Sequence, residues 1–315
     1  MKTFTEIKPG LLKRSSLALG FFDGVHPGHQ SVIRKAVEEA RRLDATPAVI
    51  TFKEHPRALT LGKSPPLLTM PEQRLEICEE MGIEAALLLS FTEELCRLSP
   101  EDYVKSVLVE CMGACSLSVG YNHRFGRNRV GTPELLAELG KDLGFDVHVA
   151  AEILMDGAAV SSSRIRESLA AGDVELTAKL LGRAYSVRGP VVAGDGRGRS
   201  IGVPTANVDT PEELILPALG VYSGLCKLPD GIERQCIVNV GLRPTFGQSE
   251  KPRTEVHIFD FDRDIYNQHL TVKLMHFIRK EQRFSGVEEL KAQIARDCQI
   301  ARKQLLADGQ AAAPH

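Results

Sequence analysis

The segment Gly20–His29, GFFDGVHPGH, joins a strand to a helix and sets the fold of the first half of the chain. Leu17–Phe22, which overlaps the start of this segment, is an apolar run typical of a buried strand. After it, apolar residues recur at helical spacing, namely Val32, Ile33, Ala36, Val37, Ala40 and Leu43. The order strand, glycine-rich loop, helix is typical of the start of a parallel β-sheet unit.

Apolar runs and helical patterns alternate from residue 17 to about residue 182, as in a parallel sheet covered by helices. Further strands are predicted at Ala48–Phe52, Ala85–Phe91, Leu117–Gly120 and Val147–Ala151. Helices are predicted between them at Glu72–Met81, Glu101–Cys111 and Glu134–Leu143. We therefore predict a doubly wound α/β domain over residues 1–183.

The pattern changes after Tyr185 to short β-rich segments separated by glycine and proline. Strands are predicted at Val187–Ala193, Ile237–Val240, Glu255–Phe259 and Leu270–Ile278. An amphipathic helix is predicted from about Val287 to Leu306. Residues 184–308 are thus predicted to form a small antiparallel β-barrel with a terminal helix, followed by a disordered tail over 309–315.

Composition excludes several classes of function for this chain of 315 residues. With 39 basic and 41 acidic residues the formal charge is −2, so neither nucleic acid nor an anionic membrane is an expected partner. The N-terminus lacks a signal-peptide pattern, and the longest apolar stretch, Ala85–Leu89, is too short to span a bilayer. The seven scattered cysteines form no CxxC pair, which favours reduced thiols. We predict a cytoplasmic protein, and its oligomeric state is open.

The glycine-rich segment places two histidines, His26 and His29, at the junction of strand and helix. Backbone N–H groups and the positive end of the helix dipole form a phosphate site at such a junction. If the helix begins near Pro27, both imidazoles can donate hydrogen bonds to charge on an α-phosphate. Two such histidines are, taken alone, more often packing or capping groups. The nucleotide-binding candidates here are Gly20, Phe22, Asp23, Gly24 and Gly28.

Two later segments of the first half carry further phosphate-binding candidates. SSSRIR, 161–166, opens a helical segment, and Ser162, Ser163 and Arg166 could hold phosphate. VGYNHRFG, 119–126, follows a predicted strand, and there Asn122 could bind a substrate and Arg124 a phosphate. An ordinary N-cap and a loop with solvated arginines are the alternative interpretations.

The second half contains GDGRGRSIGVPTAN, 194–207, a glycine-rich stretch that ends in a polar cluster. It is not a Walker A sequence, and a glycine-rich hairpin explains its first part equally well. Thr205 and Asn207 are two residues apart, so on an extended segment both offer neutral oxygens to a magnesium ion bound to ATP. Glu255 is the candidate carboxylate that accepts a proton from a substrate hydroxyl. Further ATP- or flavin-binding candidates in the stretch are Gly194, Gly198, Gly202 and Pro204.

These motifs, taken in order, resemble one known family. HPGH, 26–29, resembles the HxGH motif of the nucleotidylyltransferase superfamily. The second half resembles riboflavin kinase through GRAY 182–185, GVPTAN 202–207, GVY 220–222, NVGLRPTF 239–246 and EVH 255–257. Over nearly its full length, the chain therefore resembles bacterial bifunctional riboflavin kinase and FAD synthetase.

The resemblance implies an activity for each half, each requiring Mg²⁺ with ATP: FMN adenylyltransferase in the first and riboflavin kinase in the second. It implies that His26 and His29 stabilise adenylyl transfer and that Glu255 is the general base for the ribityl 5′-hydroxyl. It implies that Asn122 contacts nucleotide and that Arg279 contacts flavin. Phosphate is assigned to Ser162, Ser163 and Arg166, and Mg-ATP to Thr205 and Asn207. The implied small-molecule partners are ATP, riboflavin and FMN.

The sequence departs from the family pattern at two positions. In TFKEHP, 51–56, Glu54 replaces a proline, and a carboxylate pointing inward would repel triphosphate and slow adenylylation. If Glu54 points to water, adenylylation is unaffected. His123 stands where many members have phenylalanine, which bears on flavin or adenine packing.

Three other functions fit parts of the sequence. A nucleotidyltransferase acting on nicotinamide mononucleotide or phosphopantetheine would share the first half but not the second. An aminoacyl-tRNA synthetase would need more chain and a basic RNA surface. A non-catalytic flavin or nucleotide sensor would have no need of the base Glu255.

Overall fold

The structure, a computed structural model, describes residues 1–55, 64–194, 198, 201–242 and 252–311. The chain divides into two compact units, Met1–Ser162 and Ser163–His315. Each unit has a hydrophobic core of its own.

The first unit is built on a six-stranded sheet in the order β1-β4-β3-β2-β5-β6, and every pairing is parallel. Its strands are β1 (Lys2–Phe4), β2 (Ser15–Leu19), β3 (Thr46–Phe52), β4 (Ala85–Leu89), β5 (Ala114–Gly120) and β6 (Asp146–Ala150). Its helices are α1 (Pro27–Leu43), α2 (Pro71–Glu80), α3 (Glu93–Arg97), α4 (Pro100–Tyr103), a π-helix (Val104–Cys111), a 3₁₀ turn (Arg127–Arg129) and α5 (Pro133–Leu143). A short hairpin of β7 (Leu154–Met155) and β8 (Ala158–Ala159) completes the unit.

Apolar side chains cover both faces of this sheet. On β2, Leu17 and Leu19 enter one core cluster, whereas Ala18 enters the other with Ile33 and Ala36 of α1. Alternate residues of a strand face opposite sides of a sheet, so a strand buried on both faces is apolar throughout. The doubly wound α/β fold predicted from the sequence is confirmed.

The strand order reverses at β2, which has β3 on one side and β5 on the other. In open parallel sheets, ligands bind outside the carboxyl ends of the strands at such a reversal. The loops that follow β2 and β5, residues 20–26 and 121–131, meet this requirement. The topology therefore points to a site at this edge of the sheet.

The second unit contains a closed barrel with strands in the order β10-β13-β12-β11-β14-β9, all paired antiparallel. The strands are β9 (Tyr185–Val192), β10 (Ala206–Val208), β11 (Gly220–Lys227), β12 (Glu233–Leu242), β13 (Pro252–Ile258) and β14 (His269–Arg279). On β12 the buried Val238 and Val240 alternate with the half-buried Asn239. The predicted barrel is confirmed.

Three helices accompany the barrel: α6 (Ser162–Ala170), α7 (Val174–Leu181) and α8 (Val287–Ala311). Ala301 of α8 is buried against Val221, Ile237 and Phe259. α8 starts at the predicted residue but continues through residues 309–311, which were predicted to be disordered. Each further helical residue adds one backbone hydrogen bond at little extra cost, so a helix that has already formed can extend past the predicted end. Residues 312–315 lie outside the described part.

The boundary between the two compact units lies at 162/163, which is earlier in the chain than the predicted boundary at 183/184. Within the second unit, the Ala218 N–H donates to the Leu169 carbonyl of α6 at 3.0 Å. Gly172 lies against Ala218 and Tyr222, and α7 packs on β9 and β14. Helical periodicity alone assigned α6 and α7 to the α/β domain, whereas their packing places them with the barrel.

Candidate functional site

The first unit has a cavity of about 670 Å³ at the carboxyl edge of its sheet, where β2 and β5 end. This volume is in the range that binds small molecules. Eight of the predicted site residues line it: Gly20, Phe22, His26, Gly28, His29, Asn122, Arg124 and Ser162. The structure thus brings together residues from three sequence segments that were singled out separately.

His26 and His29 lie side by side at the start of α1. His26 is the N-cap residue and Pro27 is the first helical residue, as predicted. The two imidazole rings stack with centroids 3.7 Å apart and planes 21° apart. The edge of the Phe22 ring packs against His29, with centroids 5.4 Å apart. Both rings therefore face the same cavity.

The environment of His29 keeps its imidazole neutral. Burial, the neighbouring His26 and the Arg74 guanidinium hold the pKa of His29 well below its usual value of 6.5. Its Nδ1 atom is buried and has no hydrogen-bond partner within the described ranges. An orphaned acceptor costs less than an orphaned N–H donor, which favours the proton on Nε2. A neutral imidazole in this tautomer has one N–H group, at Nε2, that can donate a hydrogen bond to a ligand.

Asp23 and Gly24 are not among the cavity-lining residues of the described structure, although both were predicted to bind nucleotide. The buried Asp23 carboxylate accepts hydrogen bonds from the N–H groups of Leu68, at 2.9 and 3.1 Å, and Thr69, at 3.1 Å. The Gly24 N–H donates to Thr69 Oγ1 at 3.0 Å. These bonds hold the glycine-rich loop in a conformation with positive φ at Phe22, Gly24 and Val25. Both residues shape the loop from behind the site.

The two later segments that were predicted to bind substrate or phosphate contribute only some of their residues to the cavity wall. Asn122 and Arg124 are exposed on the wall that follows β5. Ser162 Oγ donates to the Asp23 carbonyl at 3.0 Å, which ties the end of the unit to the glycine-rich loop. Ser163 and Arg166 follow on α6 in the second unit, and their phosphate-binding role stays a prediction.

The barrel of the second unit aligns three polar side chains across neighbouring strands. Glu255 on β13 is paired with Asn207 on β10 and with Asn239 on β12. Directly paired residues project from the same face of a sheet. Glu255 is half-buried and is thus flanked by two carboxamides. Asn239 had been noted only within a motif, and residues 243–246 of that motif lie outside the described part.

The glycine-rich stretch lies against Thr205 and Asn207. A Cβ atom at Gly194 would lie 2.2 Å from Asn207 Nδ2, and one at Gly198 would lie 3.1 Å from Thr205 Oγ1. Gly202 has a φ of +81°, which glycine adopts without strain. The absence of side chains at these glycines therefore leaves space for the side chains of Thr205 and Asn207. Residues 195–197 and 199–200 are outside the described ranges.

His257 was missed by sequence reasoning. Its Nδ1 lies 2.8 Å from the Pro204 carbonyl oxygen. Because His257 follows Glu255 by two residues on β13, it joins the strand that carries Glu255 to the segment that carries Thr205. Its place in EVH beside Glu255 was the available signal.

Comparison with known proteins places the chain in a family with two catalytic domains. The FAD synthetase family profile matches residues 9–164, and the riboflavin kinase profile matches residues 181–305. Bifunctional riboflavin kinase/FMN adenylyltransferases of Pseudomonas fluorescens and Escherichia coli K12 are each 36% identical to this chain. The alignments cover 90% and 91% of this chain, respectively, and 91% of each relative. The chain belongs to this bifunctional family.

A solved structure also matches this chain over both of its units. It is described as a macrolide-efflux protein from Streptococcus pneumoniae, is 30% identical and has a TM-score of 0.88. The match covers 96% of this chain and 99% of that chain. In the part of the chain that the structure describes, no helix is long and apolar enough to cross a membrane.

The two departures from the family pattern both have a structural explanation. The Glu54 side chain is exposed and accepts a hydrogen bond from Ser90 Oγ at 3.5 Å, away from the described cavity wall. His123 lines the cavity and stacks on Phe125, with ring centroids 5.8 Å apart. Burial, Arg129 and Arg124 lower the pKa of His123 to about 4. A neutral His123 therefore packs as an aromatic ring, as phenylalanine would. Pro56 lies outside the described residues.

Arg279, predicted to contact flavin, is bound to α8. Its Nε donates to both carboxylate oxygens of Asp297 at 3.1 and 3.0 Å, and its Nη2 donates to the same carboxylate at 2.8 Å. Nη1 donates to the Lys280 carbonyl at 3.0 Å. The Asp297 side chain is 1% exposed. The guanidinium thus anchors the helix, and its contact with flavin stays a prediction.

The PTAN segment fits a magnesium ion that arrives with ATP. Thr205 and Asn207 offer neutral oxygens, the ligand type that this hard cation accepts. The absence of a Cβ at Gly194 leaves room for the Asn207 carboxamide beside the loop. These two residues would hold the ion.

Proposed function

We propose that the second unit phosphorylates riboflavin to FMN with ATP and that the first unit transfers an adenylyl group from ATP to FMN. The products of the second reaction are FAD and pyrophosphate. The observation that carries the adenylyl transfer is the stacked His26–His29 pair facing the cavity. The observation that carries the kinase is the row of Asn207, Glu255 and Asn239.

In adenylyl transfer, a phosphate oxygen of FMN attacks the α-phosphorus of ATP and the bond to pyrophosphate breaks. Negative charge grows on the α-phosphate oxygens, and the imidazoles of His26 and His29 donate hydrogen bonds to it. No proton has to leave these rings during the step. The positive end of the α1 dipole favours the same charge.

The cavity wall supplies surfaces for flat rings. Phe52 and Phe91 stack with centroids 4.0 Å apart, and Tyr103 and Phe125 lie 5.8 Å apart. Aromatic side chains of this kind bind planar heterocycles by stacking. The wall therefore suits the rings of adenine and flavin, and the exposed Arg124 and Asn122 suit their polar groups.

In the kinase reaction, Glu255 accepts the proton of the ribityl 5′-hydroxyl as its oxygen attacks the γ-phosphorus of ATP, and ADP leaves. Asn207 and Asn239 flank the carboxylate and restrict its orientation. When bound at Thr205 and Asn207, Mg²⁺ would neutralise charge on the ATP phosphates. His257 holds the Pro204 end of this segment through its hydrogen bond.

The test is a chromatographic time course of the purified protein with riboflavin, ATP and Mg²⁺, with riboflavin, FMN and FAD quantified separately. We expect FMN to appear first and FAD to follow. FMN without FAD, under both aerobic and reducing conditions, would contradict the adenylyl transfer. Binding of flavin without any product would contradict both activities and favour a sensor.

A further inference from the structure

Arg74 of α2 is a buried cation that the reactions above do not use. Its side chain is completely inaccessible to solvent. Nη1 donates to Thr51 Oγ1 at 3.2 Å and to the Phe52 carbonyl at 2.7 Å, and Nη2 donates to the Thr69 carbonyl at 3.3 Å. The guanidinium lies 4.4 Å from the centroid of the Phe21 ring. One side chain thus binds three segments at the carboxyl edge of the sheet.

Two of these partners, Thr51 and Thr69, are themselves bonded to the glycine-rich loop. Thr51 Oγ1, which accepts from Arg74, itself donates to the Phe21 carbonyl at 2.8 Å. Thr69, whose carbonyl accepts from Arg74, binds Asp23 through its N–H and Gly24 through its hydroxyl. The loop is therefore held on both sides through partners of Arg74.

The positive charge of Arg74 has an electrostatic effect beyond these bonds. Burial lowers the pKa of Arg74, and the carboxylate of Asp23 opposes that shift. A buried cation is costly, and an apolar side chain of the same size would fill the space at lower cost. A fixed positive charge behind a phosphate-binding loop favours anionic substrates and disfavours protonation of a nearby imidazole.

We propose that Arg74 is a positioning residue for adenylyl transfer, which orients His26 and His29 by holding the glycine-rich loop from beneath. This inference rests on the adenylyl transfer proposed for the first unit. Arg74 touches no reacting atom and acts through Thr51, Thr69 and Phe21. Sequence reasoning had no signal for it, because a single arginine in a helical pattern is ordinarily solvated.

The experiment compares Arg74→Met and Arg74→Lys with the wild-type enzyme and with Arg41→Met, a control at the exposed far end of α1. We expect kcat for FAD formation from FMN to fall about 10- to 100-fold in Arg74→Met, with a smaller fall in Arg74→Lys. Riboflavin phosphorylation by the same chains and all rates of Arg41→Met should remain at wild-type values. FAD formation by the wild type establishes the proposed function independently of the outcome for Arg74.

An NMR titration of His29 separates positioning from general support of the fold. The charged or titratable groups that act on His29 are His26 and Arg74, and Phe22 packs on its ring. Loss of the Arg74 charge removes the smallest of the three causes that lower the pKa of His29, so this pKa should rise in Arg74→Met while burial and His26 keep it below 6.5. Retention of the charge should leave this pKa low in Arg74→Lys. A merely structural role would not separate the two variants.

Wild-type FAD formation in a folded Arg74→Met variant would overturn the inference, as would an unchanged His29 pKa in that variant. If Arg74→Met does not fold, Arg74→Lys and Thr51→Val decide the question. Thr51→Val removes the hydroxyl that links Arg74 to the Phe21 carbonyl. A kcat reduced in either folded variant supports positioning, and wild-type kcat in both overturns it.

Discussion

The two sites of this chain hold the side chains proposed to act in catalysis in different ways. In the first unit, His26 and His29 follow a loop whose shape depends on buried bonds to Asp23 and on positive φ angles. In the second, Glu255 lies on a strand whose position is fixed by the barrel ladder. A loop site therefore depends on distant side chains, whereas a strand site depends on register and on the space beside it.

The largest expected effect is that of Glu255→Gln, which tests whether the strand site works through one carboxylate. We expect riboflavin phosphorylation to fall about 10²- to 10⁴-fold, because the amide cannot accept the hydroxyl proton. Conversion of added FMN to FAD should be unaffected. Chromatographic rates for both reactions check this, with Glu233→Gln as a control on the neighbouring strand β12. Undiminished FMN formation would remove Glu255 from its role.

The next effect is that of His29→Ala, which tests the loop site. FAD formation should fall about 10²- to 10³-fold, because one donor to the transition-state charge is lost. Riboflavin phosphorylation should continue, so FMN accumulates in the time course. His269→Ala, an exposed histidine of the barrel, is the control. FAD made at the wild-type rate by His29→Ala would show that the imidazole pair is not used.

A smaller effect is expected from Gly194→Ala, which asks how far the strand site depends on its glycine-rich loop. The added methyl group would lie 2.2 Å from Asn207 Nδ2, so this side chain must move. We expect the KM for ATP in the kinase reaction to rise about 10-fold, with FAD formation unchanged. Gly286→Ala is the matched control, since no atom lies within 4 Å of its added Cβ. Equal KM values for the two variants would argue against a role for Asn207 in ATP binding.

The smallest effect concerns the pH dependence of stability in the first unit. His123 has a pKa lowered to about 4, so below about pH 6.5 the unfolded state binds a proton that the folded state does not. Stability should therefore decrease as the pH falls from 6.5 to 4. Thermal unfolding of His123→Phe should show a weaker loss over this range than the wild type. Parallel curves for the two proteins would show that His123 has the same pKa in the folded and unfolded states.

The sequence predicted the elements that have a local pattern. The helix after Gly20–His29 begins at Pro27 as expected, because the apolar spacing, the glycines and the proline all agree. The stacked histidines follow from their three-residue separation at the start of that helix, where His26 is the N-cap residue. The sequence motifs identified Asn207 and Glu255 as separate candidates. Only the barrel register shows that the two residues lie opposite each other.

What the sequence did not predict depends on residues that are distant along the chain. Strand β11 was missed because Gly220 and Gly224 weaken a strand pattern, yet a Cβ at Gly224 would lie 2.4 Å from the Lys273 carbonyl of β14. The role of Asp23 in the loop depends on Leu68 and Thr69, which are 45 and 46 residues away. Local periodicity carries no information about such pairings.

The division into two compact units within one polypeptide has a consequence for the supply of flavin cofactors. Translation of this chain produces both active units in equal numbers, whatever the level of expression. The balance between the mononucleotide and the dinucleotide in a cell then depends on the relative turnover and saturation of the two units. Substitutions such as Glu255→Gln or His29→Ala would shift that balance in opposite directions without altering the amount of protein.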